Sequence, residues 1–130
     1  MKKRIEFIKI DENGKNIMVN IKKKTGIDNW NVLCRYALLL SLKNRSLIYQ
    51  FEKEQASSII MEWKTFSGKY NSILEAIVKF KFSEEMRNKA EHLQETHEKY
   101  VNAHINRGIK IMRKTRDIKE IIKMIKKLSY

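Results

Sequence analysis

The chain contains no proline and only four glycines, so little in it breaks a helix. Set beside its abundant Lys, Glu, Ile and Leu, that scarcity favours helices over strands. Cysteine is also nearly missing. The single Cys34 excludes an internal disulfide framework, and its apolar neighbours mark it as a small core residue rather than a reactive thiol. No apolar stretch follows the basic start, so no secretory signal is expected. No apolar run approaches about 18 residues, so no membrane span is expected, and the compartment that follows is the cytoplasm.

Catalytic signatures are absent in the same way. There is no phosphate-binding Gly-rich loop, no Gly-x-Ser-x-Gly, no His-Glu-x-x-His and no Cys-x-x-Cys. The histidines are His92, His97 and His104. His97 and His104 are seven residues apart on one helix face, whereas metal pairs on a helix prefer spacings of three or four. Both lie on an apolar stripe, where a hydrogen-bonded core histidine is the usual case. The carboxylates between Glu84 and Glu98 recur on the solvent side of the same helix, as a solvated face requires. No catalytic residue, metal or cofactor is therefore expected.

What is present is positive charge. The 130 residues are 42% apolar and 33% charged, which suits one folded domain over 1–130, and the net charge is +13. At this length a single core buries about two-thirds of the chain's surface without a metal or disulfide. The charge is concentrated at the two ends. Residues 1–45 hold 11 Lys/Arg against 4 Asp/Glu, residues 46–106 hold 8 against 9, and residues 107–130 hold 9 against 2. A neutral scaffold with basic ends points to a polyanionic partner; the alternative is a lysine-rich surface shaped by an AT-rich genome.

The most informative segment is Thr25-Gly26-Ile27-Asp28-Asn29-Trp30, a sharp joint between two helices. Gly26 suits the left-handed residue that ends a helix, and Asp28 or Asn29 can accept the N–H groups that open the next. Lys22, Lys23 and Lys24 precede the joint. At a helix C-terminus they also satisfy the dipole, but three in a row exceeds what capping needs.

Around the joint, a short strand is expected at 4–8. A helix capped by Asp11 or Asn13 should run to Lys24, with Ile17, Met18 and Ile21 on one face. The helix at 29–43 is apolar nearly all round, interrupted by Asn31, Arg35 and Ser41. A helix with no polar face needs cover on several sides, and a second copy of the chain is the simplest source. Residues 44–58 mix loop and weak helix. The stretch 61–68 leads into an amphipathic helix at 69–82. Ser83 can cap a long helix whose stripe runs from Met86 to Met112, with Gly108 a weak point or a place of close helix approach. A last helix at 117–128 has isoleucines on one side and Lys119, Lys123, Lys126 and Lys127 on the other; a membrane surface fits it less well than a polyanion because its apolar face has no aromatic residue.

Two resemblances meet at the joint. A strand, a helix, the turn and a second helix bearing Val32-Leu33-Cys34-Arg35-Tyr36-Ala37-Leu38 resembles the ribbon-helix-helix arrangement of small DNA-binding repressors. The fuller string from Lys24-Thr25-Gly26-Ile27 to Ser41-Leu42 resembles the DndE family, the small subunit of bacterial DNA sulfur modification (phosphorothioation). Trp63-Lys64-Thr65-Phe66-Ser67-Gly68-Lys69-Tyr70 and His104-Ile105-Asn106-Arg107-Gly108-Ile109 resemble that family too. The resemblance implies a mostly helical, homo-oligomeric DNA-binding protein, a tetramer working beside partner subunits that carry out the sulfur chemistry. It maps a basic surface onto Lys22, Lys23 and Lys24 and does not extend to the helix at 117–128.

The expectation is thus a small, mostly α domain with one short N-terminal strand, binding duplex DNA, intact or nicked, through phosphate contacts. Lys22–Lys24 lead the candidates. Arg35 either reaches phosphate or pairs internally with an acid, and Lys2, Lys3 and Arg4 add contacts from the N-terminal end. The competing readings are a DNA-nicking enzyme and an assembly subunit that does not bind DNA.

Overall fold

The computed structural model describes residues 5–44, 56–87, 97–114, 119–120 and 122–123. The elements run β1 (Phe7–Asp11), α1 (Glu12–Thr25), α2 (Trp30–Lys43), β2 (Ala56–Glu62), α3 (Trp63–Ser67), α4 (Asn71–Met86) and α5 (His97–Ile111). Short 3-10 turns occupy Gly68–Tyr70 and Met112–Lys114. The described chain is mostly helical with a short strand near its start, as the composition implies.

The strand lies at Phe7–Asp11 rather than 4–8, and Asp11 ends it by capping α1, its carboxylate accepting the Gly14 N–H. Asn13, the other cap candidate, lies inside the helix. Residues 56–58 correct the reading of 44–58 as loop and weak helix: they open a second strand, antiparallel to β1, with Ile8 opposite Met61 and Lys9 opposite Ile60. A bulge between Lys9 and Asp11 brings Ala56 opposite Asp11. The stretch from residue 61 holds the end of this strand and then α3.

The far edge of β1 is closed by a helix. Glu98, Asn102 and Asn106 are spaced by four along α5 and so project from one face. Asn102 accepts the Lys9 N–H at 2.6 Å and donates to the Phe7 carbonyl at 3.2 Å. Asn106 accepts the Asp11 N–H at 2.9 Å and donates to the Lys9 carbonyl at 3.0 Å. Glu98 accepts the N–H groups of Glu6 and Phe7 at 2.9 and 3.3 Å. A primary amide offers donor and acceptor together, as a neighbouring strand would. The strand–helix–helix order of the sequence resemblance is therefore present, with both edges of β1 filled from within the chain.

The other side of α5 packs on α2. Gly108 makes this possible: a Cβ there would lie 1.8 Å from the Ala37 carbonyl oxygen. Of the two roles open to Gly108, close helix approach is the one the fold uses. Leu33, Cys34, Ala37, Leu38 and Leu40 of α2 are buried with Val101, Ile105 and Ile109 of α5. Trp30 and Tyr36 are partly buried against the same core, so the chain itself provides most of the cover that α2 was expected to draw from a second copy.

Two helix boundaries differ from expectation. The helix read at 69–82 continues to Met86, so Ser83 lies inside α4 and caps nothing. Met86 is buried from α4, not from the long stripe that was to run through Met112, and α5 is described from His97. Along 117–128, residues 119–120 and 122–123 are helical; the remainder lies outside the described residues, as do Lys2, Lys3, Arg4 and His92.

Replacing Gly108 with Ala should destabilise the fold by about 3 kcal/mol or more, because a backbone carbonyl cannot swing aside as a side chain can. Urea unfolding of Gly108→Ala measures this. Asn102→Leu should cost about 2–4 kcal/mol in the same assay, since it strands the Lys9 N–H and the Phe7 carbonyl together.

Candidate nucleic-acid interface

The joint between α1 and α2 has the predicted helix stop. Gly26 adopts φ +74°, and its N–H bonds the Lys22 carbonyl at 3.0 Å. Thr25 stiffens the turn: its hydroxyl donates to the Ile21 carbonyl at 2.8 Å and accepts the Ile27 N–H at 3.2 Å. Asn29 takes the N-cap position of α2 without a side-chain capping bond, so the joint rests on Gly26 and Thr25 more than on the Asp28/Asn29 pair. Ile27 and Trp30 pack against the core on either side of the turn.

The three lysines do different things. Lys22 is half-buried, with its ammonium 4.6 Å from the centre of the Trp30 ring. That contact pins the last turn of α1 to the first turn of α2. Lys23 and Lys24 are exposed, and among the described residues neither meets a carboxylate. They project from the C-terminus of α1, where the dipole favours cations.

Arg35 stands one helical turn beyond Asn31 on α2. Asn31 donates to the Thr65 carbonyl at 3.2 Å, and Arg35 donates through Nη1 to the Phe66 carbonyl at 2.7 Å. Arg35 thus has an internal partner, a carbonyl rather than the acid considered above. Its guanidinium also lies 5.8 Å from the ring centre of Tyr70, and it remains partly exposed. The structure brings Lys22–Lys24 together on one hairpin and places Arg35 further along α2. Lys3 and Arg4 fall outside the described residues. That Trp30 and Tyr70 are the aromatic partners of these cations is not legible in the sequence; Lys22 and Trp30 meet across a turn, where no helical spacing applies.

A second polar constellation lies inside the protein. Arg107 donates from Nε to Ser41 Oγ at 2.8 Å and from Nη2 to the Ser41 carbonyl at 2.7 Å. Ser41 Oγ is 2.7 Å from His104 Nδ1, His104 Nε2 is 3.2 Å from Glu85 Oε1, and the Tyr100 hydroxyl donates to that same oxygen at 2.8 Å. One set of proton positions fits these bonds: Arg107 gives to Ser41, Ser41 to His104, and His104 and Tyr100 to Oε1 of an ionised Glu85, whose Oε2 is buried without a partner among the described residues. Burial holds His104 below the ordinary histidine range, and hence neutral. Burial alone would raise Glu85, but the hydrogen bonds from His104 and Tyr100 and the nearby Arg107 charge hold it low. Serine, histidine and glutamate in series are the parts of a hydrolytic triad. Here Ser41 and His104 are fully buried and the serine oxygen already receives a guanidinium proton, so the series acts as a tie between α2, α4 and α5.

Cys34 is a core residue, fully buried, its thiol pushed up to about 12 chiefly by burial. Among the described residues no group of three or more His, Cys, Asp or Glu is placed to hold a metal ion, and no helix is long and apolar enough to cross a membrane.

The family model for DNA sulphur modification protein DndE matches residues 7–120, from β1 through α5 and beyond. The chain belongs to the DndE family. No curated protein matches it. The DndE match spans both the lysine hairpin and the buried Ser41–His104–Glu85 series, so the two lie in one family unit.

The buried series makes stability depend on pH. His104 is neutral in the fold, whereas the unfolded chain takes up its proton below about pH 6.5, so acidification favours unfolding. Glu85 adds the same sign further down, because its ionised folded form competes with protonation of the unfolded chain below about pH 4.3. The urea midpoint should therefore fall between about pH 7.5 and pH 5.5, and His104→Gln should flatten that part of the profile.

Proposed function

We propose that this protein is a DNA-binding subunit of a DNA sulfur-modification (phosphorothioation) system. It holds the duplex, intact or nicked, by its phosphates, while other subunits of the system perform the sulfur chemistry. Lys23 and Lys24 make the first contacts. Lys22, fixed over Trp30, adds its charge at a constant position, and Arg35 presents the exposed part of its guanidinium beyond them. Lys3 and Arg4 extend the contact from the N-terminal end. Copies of the chain assemble into a homo-oligomer, a tetramer in the reading that the family resemblance implies, so the lysine hairpins repeat and bind with avidity.

The observation that carries this proposal is the pair of exposed lysines, with no carboxylate beside them among the described residues, on a hairpin held by Gly26, Thr25 and the Lys22–Trp30 contact. The +13 charge and DndE membership point the same way. The interface proposed is led by cations, which suit backbone contacts, with Asn13, Asn16 and Asn20 exposed along the same face of α1. The protein's role in this proposal is not catalytic. Among the described residues the nicking alternative has the Ser41 series as its best constellation, and Ser41 and His104 in it are fully buried.

Binding to a duplex should weaken steeply with salt, with a slope of about −0.9 on logarithmic axes for each phosphate neutralised. The triple variant Lys22→Ala, Lys23→Ala, Lys24→Ala should lower the magnitude of that slope by about 2–3 and leave the fold intact. Fluorescence anisotropy with intact and nicked duplexes checks it. An unchanged slope would refute the lysine assignment. Conversion of supercoiled plasmid to nicked circles in Mg²⁺, lost on a single polar substitution, would favour the enzyme reading.

A further inference from the structure

The outward face of α4 is apolar. Ile73 and Phe80 are 59% and 64% exposed, among the most open large apolar side chains described. Between and beside them lie Ser72, Ala76 and Ser83, all exposed and small. Positions 72, 73, 76, 80 and 83 share one helix face, while Leu74 and Val78 bury the opposite one. The flanking charges are tied to each other: Lys79 to Glu75 at 2.8 Å and Lys81 to Glu84 at 3.4 Å. Across Asn71–Met86 the charged residues are Glu75, Lys79, Lys81, Glu84 and Glu85, a net of −1 in a chain of +13.

We infer that this face of α4 is where two copies of the chain meet, α4 against α4 about a two-fold axis. The inference rests on the homo-oligomer reading above and supplies its surface. Charge selects the occupant. A phosphate backbone finds no unpaired cation along the centre of the helix, whereas a second strongly cationic copy can approach here more cheaply than at either basic end. The sequence of the face selects the orientation. In an antiparallel pair whose axis passes beside Ala76 and Ile77, Ile73 of each copy lies opposite Phe80 of the other. The same register brings Tyr70 opposite Ser83 and Lys69 opposite Glu84. Large side chains then meet across small ones and a cation meets a carboxylate, and each pairing occurs twice, as a two-fold interface demands. The small residues at 72, 76 and 83 let the backbones come close.

The test is solution mass by sedimentation velocity on the full chain, with circular dichroism as a check of fold. Phe80→Glu changes a side chain already mostly in solvent, so folding should survive. It should weaken self-association by more than about tenfold, as a central apolar contact replaced by a charge would. Lys69→Glu and Glu84→Lys should each weaken it, and the two together should restore it. An oligomer unchanged in Phe80→Glu overturns the assignment and gives the face to a different protein partner. Failure of the paired reversal to restore mass overturns the antiparallel register. A wild-type chain that sediments as a monomer at micromolar concentration overturns both this inference and the oligomer reading. Phosphate binding is separable throughout, because the lysine variants should lose DNA affinity at unchanged mass, while Phe80→Glu should keep the per-chain salt slope.

Discussion

Everything in this protein is hung on α5, and α5 can lie where it does because residue 108 has no side chain. The backbone of α2 passes so near Gly108 that any other residue would strike the Ala37 carbonyl. Given that approach, one helix serves three neighbours. Its Val101–Ile105–Ile109 edge fills the core under α2, its Glu98–Asn102–Asn106 edge completes β1, and His104 and Arg107 reach Ser41 and Glu85. The lysine hairpin gains from this indirectly. The body of α2 is fixed by α5 and its first turn by Trp30, so Lys22–Lys24 are carried on a support that cannot easily tilt.

The surface divides into parts of different character. Around the α1–α2 joint two of the three lysines face solvent, with no carboxylate beside them among the described residues. Along α4 the ions are matched and the centre of the face is apolar. In the proposed reading, such a division would let a strongly basic chain bind polyanions without every surface repelling its own kind. It also places the burden of neutrality on α4, whose carboxylates offset its lysines within the helix.

The features legible in the sequence are those that depend on near neighbours. The joint at Gly26, the cap at Asp11, the face of α1 and the stripe of α5 are set within a few residues, and spacing reveals them. The second strand escaped because its pairing is with residues about fifty positions away, and Ser57-Ser58-Ile59-Ile60 does not alternate cleanly. Asn102 and Asn106 read as ordinary polar residues on a helix, because nothing local tells an amide facing water from one facing a strand. Ser41, Glu85 and His104 come from three helices and meet only in the folded chain. At the candidate interface the lysines are visible as a run, while Trp30 under Lys22 and the Phe66 carbonyl at Arg35 come together only in the folded chain. What covers α2 was not legible for a related reason. A helix that is apolar all round announces that it must be covered, but not by what, and α5 and α3 turned out to be sufficient for most of it.

The asparagines on α5 have a consequence for what the ribbon can become. A sheet grows when an open edge offers its N–H and C=O groups to another chain. On the β1 side those groups are already answered by side chains that belong to a helix, and a helix offers no edge of its own. Growth on that side is stopped because those groups are already bonded, not by the strand's own lysine, Lys9. The Asn102 and Asn106 amides carry no charge, so their part of the stop is indifferent to salt, in a protein whose proposed dealings with DNA would be governed by salt.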